Sequence, residues 1–472
     1  MPKKIGLILG PILFILFYWV ISFEGLSPEA HAALGVTLWI SVWWLTEVIA
    51  LAATSLLPIL LFPLSGALDI SETTTAYGHP FIFLFLGGFI LAIAIEKWNL
   101  HKRIALSVIL RTGTSTKRVL LGFMAATAIL SMWISNTAAT VMLLPICMAV
   151  INLQARNASP SFARALLLGV AYAASIGGMA TLIGTPPNLI LAGIIKSSYH
   201  IDLSFVKWMA IALPLCILLF LVTWLYLQRT MTNTSSEVDV DANEQKATIQ
   251  RELNALGPLS VQERKVGIIF LAMVFLWISR GALLSQFIPE LTDTAIALLG
   301  AMALFLTPAG SSGKLMEWDD TKHLPWGILI LFGAGMAIAK AFELTELAKW
   351  IGMHLINLEN LPFWLLLLVL VAAVNFLTEF TSNMATTAIL LPILISLTSL
   401  IGVHEFALII PATFAASCAF MLPVATAPNA LIFASGKIKI QEMVRYGFVL
   451  NILAILLVTF YAFVFVPVFF GG

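Results

Sequence analysis

Ser131-Met132-Trp133-Ile134-Ser135-Asn136-Thr137 lies in the middle of a run, residues 119–155, that carries no charged side chain. One membrane-spanning helix needs about 20 apolar residues, so this run is long enough to enter a bilayer, turn at a polar tip and leave by the same face. The reading is a helical hairpin. Irregular backbone at membrane depth is tolerated only where protein buries it or where it lines a watery cavity, so the Ser-Asn-Thr tip marks a candidate site. Small polar residues also join transmembrane helices, and the tripeptide alone is equally compatible with that role.

A second copy changes the balance. Thr378-Glu379-Phe380-Thr381-Ser382-Asn383-Met384 lies in another apolar run, 247 positions after the first tip. The same shift carries Leu144-Pro145 onto Leu391-Pro392, Gly88 onto Gly335 and Glu96 onto Glu343. The chain is therefore built from two related halves, a common construction in secondary transporters.

Of the 472 residues, 60% are hydrophobic and 10% charged, which excludes a soluble globular domain and indicates a polytopic membrane protein. A net charge of +1 gives no reason to expect a nucleic-acid partner. Cys147, Cys216 and Cys418 fall in apolar segments with no disulfide or metal spacing, and read as small core hydrophobes. Residues 5–23 follow Lys3 and Lys4 and are too long an apolar segment for a signal peptide. They read as a first transmembrane helix entering from the cytoplasm.

In order, residues 33–65 give two short spans meeting near Thr46-Glu47, with Glu47 at a helix end, and residues 79–96 a fourth span. An amphipathic helix along the inner surface is expected over 97–118, followed by the hairpin 119–155. The segment 163–196 is interrupted by Gly184-Thr185-Pro186-Pro187-Asn188 and reads as a broken helix: glycine permits irregular backbone, threonine caps, and proline fits a first turn. A sixth span covers 205–228, and the polar segment 229–265 is the cytoplasmic linker.

The second half gives spans at 266–285, 292–307 and 324–343, a surface helix near 344–355, a hairpin at 362–400, a helix broken at Ala425-Thr426-Ala427-Pro428-Asn429 within 406–436, and a last helix at 442–469. The expectation is an all-α protein of eleven spans and two re-entrant hairpins. With the N-terminus inside, 20 of the 25 Lys and Arg residues fall on the cytoplasmic side, leaving Lys196, Lys207, Arg280, Lys340 and Lys349. The C-terminus then lies outside and the two repeats are inverted.

Neither tip nor break holds a Lys or Arg. A small anion would be bound by helix N-termini starting at Asn136, Pro186, Asn383 and Ala427, whose N–H groups and positive dipole ends face a shared cavity. Thr137, Thr185 and Thr426 add hydroxyl donors. Freed carbonyls with Ser131, Ser135 and Thr378 form oxygen pockets suited to a hard cation such as sodium. Glu379 reads equally as a titrating group or as an acceptor for loose backbone N–H groups. His79 and His323 read as solvated loop residues, and Trp43 and Trp44 as belt or core residues. Absence of a nucleophile elbow, a metal triad or a filter-like ring argues against an enzyme or a channel.

Taken together, the two Ser-Asn tips, both Pro-Asn breaks and Glu379-Phe380-Thr381-Ser382-Asn383 resemble the divalent-anion/sodium symporter family over essentially the whole chain. The resemblance implies a homodimeric elevator carrier in a bacterial cytoplasmic membrane. It would move C4-dicarboxylates such as succinate, malate or fumarate with sodium, some members carrying citrate or sulfate. It implies a scaffold of residues 1–118 and 266–361, a moving transport domain of 119–228 and 362–472, and a linker of 229–265. Ser131, Ser135, Asn136 and Gly184 would build one sodium site, and Thr378, Thr381, Asn383 and Ala425 the other. Ser135, Asn136, Thr137, Thr185, Ser382, Asn383, Thr426 and Pro428 would surround the substrate. Met384 departs from the commonest pattern, which has Thr at that position. A sodium-independent exchanger of the same fold would replace these oxygen sets with cationic side chains, which are absent.

Overall fold

Polar start signals and helix-breaking residues divide the apolar chain into helices. The computed structural model describes residues 2–113, 115–153, 160–231, 238–310, 313–354 and 361–470. Residue 114 of the expected inner surface helix, 154–155 of the first hairpin, 232–237 of the linker and 355 of the outer surface helix lie outside the described residues. Among the described residues the fold is all-helical, and its one β contact is an isolated bridge between Pro308 and Lys314. Among the described residues seven helices are long and apolar enough to cross a membrane, and shorter apolar helices such as Asp293–Leu306 and Phe363–Thr378 accompany them.

Ser27 Oγ accepts the Ala30 N–H, Pro28 sits in the first turn, and the helix Pro28–Thr46 ends at Glu47, which adopts the left-handed conformation at φ 46°. Glu47 is thus a helix-end residue, as expected. The expected third span is not one helix. It is divided into Leu51–Thr54 and Leu57–Ser65, with Pro58 at the start of the second piece and Gly66 in a left-handed cap at its end. A further helix, Ile70–Tyr77, opens with a reciprocal Asp69–Glu72 capping box.

The segment expected to lie along the inner surface forms the helix Leu100–Thr112. Arg103 grips the Glu263 carboxylate at 2.7 and 3.1 Å and also reaches the Leu256 and Pro258 carbonyls. Burial pushes the Glu263 carboxyl up, but Arg103 and the Ser260 cap outweigh it and hold the group below its ordinary range. Nor is the linker simply an extended polar segment: it contains the helix Val238–Ala255, which packs on Leu100–Thr112 and on the first hairpin's second limb.

Each hairpin is two helices joined by a short turn. The first is Thr116–Ser131 and Asn136–Leu153; the second is Phe363–Thr378 and Asn383–Ile401. Their second limbs carry Pro145 and Pro392 at the repeat-related position. The broken helices are Pro160–Gly178 with Pro186–Tyr199, and Ile409–Ser417 with Ala427–Ala434. The halves interlock, because Pro160–Gly178 packs against both the first hairpin and Ala427–Ala434. Helices Pro80–Lys97, Asp293–Leu306 and Val261–Ser279 pack on one another and more lightly on Pro186–Tyr199 and Phe205–Thr230. All three cysteines are free and buried.

Candidate functional site

Four helices begin at the residues expected from sequence, Asn136, Pro186, Asn383 and Ala427, and all four starts line one cavity of about 640 Å³. The N-terminal N–H groups of a helix lack intrahelical partners and carry the positive end of its dipole. Their convergence therefore makes an anion-attracting surface from neutral backbone. Ser135, Thr137, Thr185, Ser382, Thr426 and Pro428 line the same cavity, as do Gly184, Thr381 and Ala425. Ser131 and Thr378 do not: both are fully buried just behind the two tips.

Behind each tip the oxygens are arranged alike. Ser131 Oγ lies 2.5 Å from Asn136 Oδ1 and 2.7 Å from the Ala174 carbonyl. Thr378 Oγ1 lies 2.7 Å from Asn383 Oδ1 and 2.8 Å from the Ala416 carbonyl. A hydroxyl owns one proton, so with the amides in this orientation each trio holds one close oxygen pair without a hydrogen between them. Three oxygens of this kind suit a hard monovalent cation. Among the described residues, no group of three or more His, Cys, Asp or Glu side chains is placed to hold a metal.

Close backbone approach at these pockets needs glycine. A Cβ at Gly178 would run into the Asn136 amide, and one at Gly184 would come within 3.0 Å of both Gly178 Cα and the Ser131 carbonyl oxygen. Thr181 bridges tip and break, donating to the Met132 carbonyl at 2.5 Å and accepting the Gly184 N–H at 3.1 Å. Asn188 then clips the first break, donating to the Gly178, Met179 and Thr181 carbonyls. Asn429 does the same in the second break for Ala419 and Leu422.

The two tips are not identical. Ser135 Oγ accepts the Ala138 N–H at 3.1 Å, whereas Ser382 makes no side-chain cap bond. Met384 lines the cavity where the first repeat has Thr137. Thr386 and Thr387 are buried and do not replace the missing hydroxyl: Thr386 pairs with Thr381 at 2.5 Å and Thr387 donates to the Asn383 carbonyl at 2.7 Å. Thr381 also bonds the Leu377 carbonyl, so its hydroxyl is committed within the hairpin.

Glu379 is fully buried and is not a lining residue. Its carboxylate accepts the Phe420, Met421 and Leu422 N–H groups at 2.7 to 2.9 Å and the Asn451 amide at 2.7 Å. Of the two roles open from sequence, the acceptor of loose backbone N–H groups is the one the geometry fills. His79 caps its helix through Nδ1, accepting the Phe81 N–H, and His323 is exposed.

Sequence reasoning missed the opposite wall. Lys3, Trp44, Thr46, Glu47, Phe89 and Ile328 line the cavity from Pro2–Ile15, Pro28–Thr46 and its cap, Pro80–Lys97 and Trp326–Leu344, and Lys3 is the one cation among the described lining residues. Trp44 is at once a core residue, donating to Ser55 Oγ, and part of this wall. The Ala174 and Ala416 carbonyls carry no side-chain signal, and Thr181 lies outside both motifs.

A family profile described as the sodium:sulfate symporter transmembrane region matches residues 3–470. The chain belongs to this family of divalent-anion/sodium symporters. It is 44% identical, over 98% of its length and 92% of the relative's, to a protein of Staphylococcus saprophyticus named sodium-dependent dicarboxylate transporter SdcS. Identity to the SdcS of Staphylococcus aureus strain USA300 is 43%, over 99% of this chain and 92% of that one. Its relatives are transporters, and this family member is a membrane transporter rather than an enzyme. Among solved structures the fold resembles the YdaH transporter of Alcanivorax borkumensis, with a TM-score of 0.61 at 17% identity over 92% of this chain and 98% of that one. It also resembles MtrF of Neisseria gonorrhoeae, with a TM-score of 0.61 at 15% identity over 99% and 96% of the two chains.

Proposed function

We propose that this protein carries C4-dicarboxylates such as succinate, malate or fumarate into the cell together with sodium. The observation that carries the reading is the meeting of four helix N-termini at one cavity, with a proton-poor oxygen trio behind each hairpin tip. The relatives named as sodium-dependent dicarboxylate transporters support it.

The dianion's carboxylates would be held by N–H groups at the Asn136, Asn383 and Ala427 starts, by the positive dipole ends of all four helices and by Ser135, Asn136, Thr137, Ser382, Asn383, Thr185 and Thr426, with Pro428 shaping the break. Sodium would sit at Ser131, Ser135, Asn136 and Gly184, and again at Thr378, Thr381, Asn383 and Ala425. Two such cations offset the dianion's charge in a low-dielectric cavity, where a cation and a carboxylate about 4 Å apart attract by roughly 4 kcal/mol at an effective dielectric constant near 20. Sodium thus acts as co-transported substrate.

The hairpins, re-entrant in this reading, and the broken helices move as one body against the Pro80–Lys97 group in an elevator stroke. The carrier is a homodimer in the bacterial cytoplasmic membrane, with eleven spans, its N-terminus inside and its C-terminus outside. With the N-terminus inside, Lys3 and Glu47 in the cavity wall would put the open side of the site toward the cytoplasm. Met384 favours a second reading, in which the natural cargo is a divalent anion that needs one hydroxyl fewer, such as sulfate. Uptake of labelled succinate and sulfate into proteoliposomes under imposed sodium, potassium or proton gradients tests both. Uptake driven by potassium or protons as well as by sodium would overturn the symport reading.

A further inference from the structure

We propose that Asp202 and Arg280 form a latch that holds the carrier in the cytoplasm-facing state. The proposal rests on the elevator reading above. Asp202 immediately precedes the 26-residue helix Phe205–Thr230, which packs mainly on Pro160–Gly178 and Ile440–Phe470, in the body that moves. Arg280 follows Val261–Ser279, in the body that stays.

Arg280 is fixed on its own side by two contacts. Its Nε donates to the Leu291 carbonyl at 2.8 Å, and Nη1 lies 2.9 Å from Asp293 Oδ1. Its remaining terminal nitrogen, Nη2, donates to Asp202 Oδ2 at 3.0 Å across the boundary. Beside it, Asp293 Oδ2 accepts the Phe205 N–H at 2.7 Å, and the Phe205 ring stacks on Trp277 at 4.5 Å and 8°. Trp277 is held in turn through its Nε1–H to the Asp293 carbonyl at 3.1 Å.

This cluster sits at the far end of Phe205–Thr230 from the linker, about 39 Å away at 1.5 Å per residue. Sliding of one body past the other by more than a few ångströms breaks the pair, the Phe205 contact and the ring stack together. Arg280 keeps Asp293 after the break, so no buried aspartate is left bare. Asp202, with its side chain 42% exposed, returns to water at small cost. The pair therefore favours one end of the stroke without trapping it, and Arg280 and Asp202 are positioning residues that never touch the cargo.

The test uses the full-length protein in inside-out vesicles, with a Val424→Cys reporter in the exposed cavity wall and the three native cysteines buried. A membrane-impermeant maleimide supplied from the cytoplasmic face reports how often the cavity is open there. Asp202→Asn should slow labelling about threefold or more, and Asp202→Glu should restore most of it. Added choline chloride at constant sodium should slow labelling in the protein with Asp202 intact, by screening the pair, and leave the Asp202→Asn protein unaffected. Equal labelling rates, or an unchanged response to choline chloride, in Asp202→Asn would overturn the latch. If labelling of the protein with Asp202 intact does not respond to sodium plus succinate, the elevator reading fails and the latch with it.

Discussion

The Asn136 and Asn383 side chains each face a buried hydroxyl at 2.5 and 2.7 Å, while their backbones open helices onto the cavity. In the proposed site each residue would serve cation and anion at once, and replacement would remove both services. Asn136→Ala or Asn383→Ala should reduce succinate uptake to less than about a tenth while leaving a folded protein on gel filtration, a loss of at least ~1.4 kcal/mol in barrier terms. Uptake above half the normal rate would contradict the assignment. Met384→Thr tests the opposite direction. A hydrogen bond to a charged group contributes about 1.5 to 3 kcal/mol, so a well-placed hydroxyl at 384 should lower the succinate concentration for half-maximal uptake roughly tenfold or more. Unchanged affinity at an unchanged thermal midpoint would mean that Met384 acts by packing. Glu379 belongs to another kind of residue, because its four donors would all lose their acceptor in Glu379→Ala. That variant should melt several degrees lower in detergent, where Asn136→Ala should not.

At the level of elements, the long charge-free runs and the Pro-Asn breaks were legible because each obeys a one-dimensional rule: span length, cap chemistry or the proline first turn. That is why the helix starts at Pro186 and Ala427 could be read to the residue. What could not be read depends on packing in three dimensions. The Ala174 and Ala416 carbonyls offer no side chain to notice, and the helix Val238–Ala255 is too polar to announce itself until Leu100–Thr112 packs beside it. The piecemeal third span escaped for the same reason, since its short helices are held by neighbours. Two predictions belong here. Gly184→Ala puts a methyl group where the Gly178 and Ser131 backbones meet, so the sodium concentration for half-maximal uptake should rise more than about tenfold, a loss of ~1.4 kcal/mol in binding. The surface clamp gives a pH signature. Glu263 is held below its ordinary value of 4.5, and Asp320, despite burial, is lowered by the Glu317 N–H and Lys97 below 3.8. Depressed acids contribute stability that is complete above the unfolded value and is lost as pH falls through the folded one. The thermal midpoint should therefore hold from pH 7 to about 5 and fall below about 4.5, less steeply in Arg103→Gln, for which differential scanning fluorimetry is the check.

For the whole molecule, tips and breaks without Lys or Arg leave Lys3 as the one cation among the described lining residues, and on the proposed reading sodium from solution would complete the dianion's site. Replacing sodium by choline should cut succinate uptake by more than about tenfold, a difference of ~1.4 kcal/mol in apparent binding. Uptake indifferent to the exchange would place the anion's counter-charge elsewhere in the protein. The two halves interlock, in that Pro160–Gly178 of the first lies against Ala427–Ala434 of the second. The Glu379 carboxylate has one more consequence. It is packed between the second hairpin, the second break and the last helix, has four hydrogen-bond donors and is paired with no cation among the described residues. In the proposed elevator stroke an ionised Glu379 would cross with its helices, and moving one elementary charge through the full membrane potential is worth about 2.3 kcal/mol per 100 mV. A voltage step applied to the empty carrier should then displace charge transiently without sodium or cargo, and in Glu379→Gln that displacement should shrink. The carrier would feel the membrane potential even between loads.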